Sequence, residues 1–134
     1  MCRFVRLGAI SAVMVSVGVA SAMNRAPTVK QIMAKLNKGP AALTPVLKKE
    51  LQAPQPAWGE IQNQTQEYIR LVADLEKCEP PKGDGASWSK FTKEYATNAQ
   101  ALDDAVHKKD KGAALTAHGK ITRSCAGCHR SHRG

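Results

Sequence analysis

Three interruptions govern what this chain can fold into: Gly39-Pro40, Pro54-Gln55-Pro56, and the run from Cys78 to Gly85, CEPPKGDG. Proline inside a helix loses a hydrogen bond and clashes with the preceding turn, so each cluster ends or bends whatever precedes it. Between the clusters, apolar residues recur at steps of three and four and no stretch alternates cleanly, which is the period of helices. A first helix is expected from an N-cap at Thr28, with Val29, Ile32, Met33 and Leu36 on one face. Gly39-Pro40 stops or kinks it, and a shorter helical piece follows over roughly Pro45 to Leu51, with Pro45 in its first turn. The second long helix is expected from about Ala57 to Lys77, with Trp58, Ile61, Thr65, Tyr68, Val72 and Leu75 facing inward. A third covers roughly Ser87 to Lys109, capped by Ser87 or Asp84, with Trp88, Phe91, Tyr95, Leu102 and Val106 aligned. The fourth begins near Asp110 or Lys111 and runs through Ala114, His118, Ile121 and Cys125. This pattern predicts an all-α fold: an antiparallel, up-down four-helix bundle whose first helix is broken at Gly39-Pro40.

Residues 1–22 read as a cleavable signal peptide. Arg3 and Arg6 form a basic head, Leu7 to Ala20 is apolar, and Ala20-Ser21-Ala22 is a small-residue cleavage site. The apolar run is short of the roughly 20 residues a membrane span needs. Met23 stands where a lipoprotein would carry its anchoring cysteine. Export to the periplasm is therefore expected, Cys2 leaves with the leader, and residues 23–134 form one domain with no membrane span. Removing Arg3 and Arg6 takes the formal charge from +9 to +7. Such a surplus suits acidic partner proteins, while the dispersion of the basic residues argues against nucleic acid.

Three cysteines then remain, Cys78, Cys125 and Cys128, an odd number for a disulfide framework in an oxidising compartment. The close pair belongs to Cys125-Ala126-Gly127-Cys128-His129, a C-x-x-C-H string, the covalent attachment signal of c-type haem. Residues three apart share a helix face, so two sulfurs can form thioethers along one porphyrin edge. His129 then offers its imidazole to the iron. A zinc site would want a second close ligand pair, and a thioredoxin-like pair would want a preceding strand. A helical module without haem is the remaining reading of the bundle. Cys78 is expected to be a free thiol, with a disulfide-linked homodimer as the other possibility.

A helical chain with this motif on its last helix resembles the class II c-type cytochromes, the cytochrome c-prime group. In architecture the likeness covers the whole of residues 23–134; as a tight motif it covers Cys125 to Arg133. It implies one covalently held haem and a propionate-binding role for Arg133, with His132 standing where the family often carries an aromatic ring. Met33-Ala34-Lys35-Leu36-Asn37 is similar to the start of the periplasmic four-helix b-type cytochrome, which implies axial ligation by Met33.

Bundle geometry also favours Met33. It lies five residues past Thr28, roughly 8 Å along the axis, and His129 lies five before Gly134, at the same end of an up-down bundle. His118 is roughly 16 Å from His129 along one helix, His107 is at the far end, and His132 is on the same side as His129. His/Met ligation describes a one-electron carrier with raised potential. The alternative is five-coordinate iron that binds or buffers nitric oxide or carbon monoxide. No nucleophile–base pair or paired carboxylates suggest an enzyme. Lys30, Lys77, Lys82, Lys120, Arg123, Arg130 and Arg133 are expected near the haem end, where they could steer an acidic redox partner. Trp58 and Trp88 are expected in the core, Trp88 alternatively against the porphyrin.

Overall fold

The computed structural model describes residues 26–134; the expected leader 1–22, with Cys2 and the cleavage site, and Met23 lie outside them. The described residues contain five helices and no strand: α1 Val29–Asn37, α2 Leu43–Gln52, α3 Trp58–Glu76, α4 Gly85–His107 and α5 Lys111–His132. Among these residues no helix is long and apolar enough to cross a membrane.

The helix starts follow from side-chain capping. Thr28 and Gln31 cap one another reciprocally, the Gln31 amide donating to Thr28 Oγ1 at 3.3 Å and the Thr28 amide to Gln31 Oε1 at 2.8 Å. Asp84, not Ser87, caps α4, accepting from the Ser87 amide at 2.8 Å, and that bond holds its carboxyl below the ordinary range. Asp110 caps α5 through the Ala113 amide at 2.9 Å. The break at Gly39-Pro40 separates two distinct helices, with Gly39 in the left-handed region at φ +93°. Helix α2 starts at Leu43, two residues before Pro45, so the proline occupies the third helical position and not the first. There its missing amide still has no intrahelical partner to lose.

Helix α4 packs on both α3 and α5, and the α1–α2 pair lies against α3, with α2 also touching α5. Ile32, Leu36, Leu47, Leu51, Ile61, Leu75, Leu102 and Ile121 are fully enclosed between them. Trp58, expected inside, is only partly buried at the start of α3.

Polar contacts show which ends meet. Cys78 reaches the Pro27 carbonyl at 3.7 Å, and His132 reaches the Lys82 carbonyl at 2.7 Å. The start of α1, the α3–α4 turn and the end of α5 thus share one end. At the other, Lys111 Nζ donates to the Ala53 carbonyl at 2.7 Å, and Gln62 bonds the His107 ring at 3.0 Å. Helices α3, α4 and α5 therefore alternate in direction.

Gly83 is the tightest point of the shared end. It has φ +83°, and a Cβ there would lie 2.7 Å from the Ser131 carbonyl oxygen and 2.9 Å from His132 Nδ1. Gly39 is also left-handed but has open space around it. Gly39→Ala should therefore cost only the backbone strain, about 1 kcal/mol. Gly83→Ala should cost that plus roughly 1–3 kcal/mol of overpacking. Thermal melts of the two variants check this; equal losses would mean that the turn yields freely at residue 83.

Candidate functional site

Helix α5 stays regular through the whole C-x-x-C-H string, to His132. His132 explains how. Its ring is 2% exposed and carries two hydrogen bonds to the facing turn. A carbonyl can only accept, so Nδ1–H donates to Lys82 O at 2.7 Å, and Nε2 is hydrogen-bonded with the Ser87 hydroxyl at 3.0 Å. The ring also packs edge-on against Trp88 (centroids 5.4 Å apart) and Phe91 (5.9 Å). The role was not legible in the sequence, where His132 was only a ring in an aromatic position. Trp88 is buried and donates from Nε1 to the Cys78 carbonyl at 2.7 Å, so it braces the same turn.

With the last turns of α5 held, one cavity of about 240 Å³ opens beside them. Cys125, Cys128, His129 and Met33 all line it, bringing together four of the five residues singled out from the sequence. Arg133, the fifth, is exposed at the α5 C-cap and is not in the lining. Trp88 is not in the lining either; Phe91, one turn further along α4, takes that place with Leu75 and Tyr95. The Phe91 ring lies close to the motif's Gly127, where a Cβ would come within 3.2 Å of it.

The donor set is chemically defined. Cys125 and Cys128 are half-buried free thiols three residues apart. Cys125 Sγ donates to the Ile121 carbonyl at 3.4 Å. Burial pushes both thiols above their ordinary pKa, and beside Cys128 the negative charge that Cys125 would carry adds to the effect. A dithiol oxidoreductase needs the reverse, a stabilised thiolate. His129 is exposed and Met33 half-buried. Among the described residues, no group of three or more His, Cys, Asp or Glu side chains is gathered as a bare metal ion would require. Two thiols on one helix face, an adjacent imidazole, a thioether from another helix and an apolar wall fit a c-type haem. The cavity is below the roughly 300–1,000 Å³ of pockets that enclose a ligand by themselves. Covalent attachment would supply the hold that the walls do not.

Behind the wall runs a chain of hydroxyls. Tyr95 bonds Tyr68 at 2.6 Å, and Tyr68 bonds Thr44 Oγ1 at 3.1 Å. The carbonyl of Thr44 accepts from Nε2–H of His118 at 2.9 Å. His118 is thus a satisfied core histidine, away from the cavity lining. Burial, first of all, pushes both phenols well above their ordinary pKa. Comparison with known protein families, curated proteins and solved structures finds no match for the chain.

These are the chain's two tyrosines, which gives a clean test. Because the folded phenols hold their protons more tightly than unfolded ones, their contribution to stability is complete below the unfolded value of about 10 and is lost as pH rises above it. Tyrosinate absorbance should stay flat through pH 10 and rise only together with loss of helical circular dichroism. A smooth rise centred near pH 10 with the helices intact would show the pair to be solvent-accessible.

Proposed function

We propose that this protein is a monohaem c-type cytochrome, similar to the class II group, that works as a periplasmic one-electron carrier. In this reading α1 and α2 together make the first member of an antiparallel four-helix bundle. One observation carries it: two cysteines, a histidine and a methionine, the last 92 positions before Cys125, line a single apolar cavity. Cys125 and Cys128 would hold the haem through two thioethers, with His129 and Met33 as axial ligands. When bound, the haem iron supplies a reversible one-electron couple whose potential a His/Met pair raises.

The chain's own residues do the rest. Leu75 and Phe91 keep water from one side of the cavity, and the frame around the turn Cys78–Asp84 fixes the helix that carries three of the four donors. A helix fixed at its end keeps those three donors in register, which suits a carrier, because little has to move between two oxidation states. Lys77 pairs with Asp74 at 3.1 Å. Among the described residues no carboxylate lies within ion-pair distance of the exposed Lys30, Lys82 or Arg130, which supports docking to an acidic redox protein. The Cys78 thiol points inward, donating to the Asp74 carbonyl at 3.3 Å. That favours a free thiol over a disulfide-linked dimer.

The test is the visible and near-infrared spectrum of protein matured with haem-attachment machinery. A sharp low-spin reduced α band and a weak near-infrared methionine–iron band are expected. Met33→Ala should abolish the second and yield a high-spin spectrum that shifts under carbon monoxide. Unchanged bands in Met33→Ala would remove the methionine assignment, and a high-spin wild type would favour the gas-binding alternative. Replacing Cys125 and Cys128 together by Ser should leave the polypeptide at its bare mass; a retained mass increment would sink covalent attachment at this pair.

A further inference from the structure

The cavity's one polar contact to the methionine comes from the same helix. Asn37 is four residues beyond Met33, on the same face of α1, and its Nδ2 donates to Met33 Sδ at 3.8 Å. This is within the range of a hydrogen bond to sulfur, a weak acceptor. Asn37 lines the cavity alongside Met33 and Tyr95. The Tyr95 hydroxyl is bonded to Tyr68 at 2.6 Å and, through it, to Thr44. The amide therefore stands on α1 beside the sulfur, at the edge of a wall whose own hydroxyls are paired behind it.

A thioether sulfur has two lone pairs. An N–H donor on one of them leaves the other to point elsewhere, and it withdraws electron density from the sulfur. Among the described residues Asn37 is the one hydrogen-bond donor to Met33 Sδ: Leu75 and Phe91 have no polar hydrogen, and Thr92, Ser124 and Cys125 donate to the carbonyls of Trp88 and Ile121 on their own helices. We propose that Asn37 is a positioning residue for Met33, orienting the sulfur through its amide and tuning the affinity of the site for the reduced over the oxidised iron. The inference rests on the reading that Met33 is an axial ligand.

The experiment uses the matured holoprotein and two variants, Asn37→Leu, which keeps the shape and loses the donor, and Asn37→Gln, which keeps a donor. Asn37 is exposed at the end of α1, so both variants are expected to fold. Asn37→Leu should shift the near-infrared methionine–iron band and lower the equilibrium constant for reduction about two- to five-fold, the scale of one weak hydrogen bond. Asn37→Gln should restore both, at least in part. A purely structural role would move the melting temperature and leave the band and the equilibrium unmoved. If the wild type shows the band and Asn37→Leu matches it in band position and reduction equilibrium, the positioning role is overturned while ligation stands. If the wild type itself lacks the band, ligation by Met33 fails and the positioning role fails with it.

Discussion

The hydrogen bond from His132 Nδ1 to the Lys82 carbonyl ties the last turn of α5 to the turn between α3 and α4. Helix ends ordinarily fray, because their final carbonyls have no intrahelical partner. Here the end is stapled by a buried ring whose second nitrogen is also satisfied, by Ser87, and which packs edge-on against Trp88 and Phe91. Leaving either partner unsatisfied in this dry setting would cost about 1–3 kcal/mol. The staple can form only because Gly83 carries no side chain. The spacing of the two thiols and of His129 depends on this helical regularity, so the chemistry of the site is downstream of a contact that takes no part in it.

The interior is also more polar than an apolar bundle needs. Near the cavity, Tyr95, Tyr68 and Thr44 form a continuous chain. Further along, buried Asp103 of α4 accepts from Thr65 and Gln66 of α3. Each net hydrogen bond contributes only about 1 kcal/mol, whereas an unpaired member would cost more than that. Such networks therefore discriminate among registers: sliding α3 against α4 by one turn would orphan several groups together. The precise facing of Leu75 and Tyr95 into the cavity follows from that register.

The helices were legible because proline and glycine clusters bracket clean apolar stripes, and the capping residues Thr28 and Asp110 stand where the stripes begin. The thiol pair and His129 were legible because their spacing is chemical and local. Met33 could be reached by matching heights along antiparallel helices. His132 could not be read correctly, since its partner is a backbone carbonyl 50 positions away that leaves no mark in composition. Phe91 and Trp88 are one turn apart on the same stripe, and periodicity does not say which of them faces a cavity and which a turn. Asn37 carried a usable signal, its four-residue offset from Met33, but polar residues at a helix end are common enough to pass unnoticed.

The walls of the cavity close over very different lengths of chain. Tyr95 and Cys125 face each other across a hairpin of 30 positions, while Met33 and Cys128 are separated by 95. Loop-closure entropy makes the longer contact costlier by about 1 kcal/mol, and folding favours short-range contacts first. The α4–α5 hairpin can thus present its sulfurs and imidazole early, with α1 as the late-arriving lid. In that order a folding chain would expose its two thiols together before the opposing thioether of Met33 arrives.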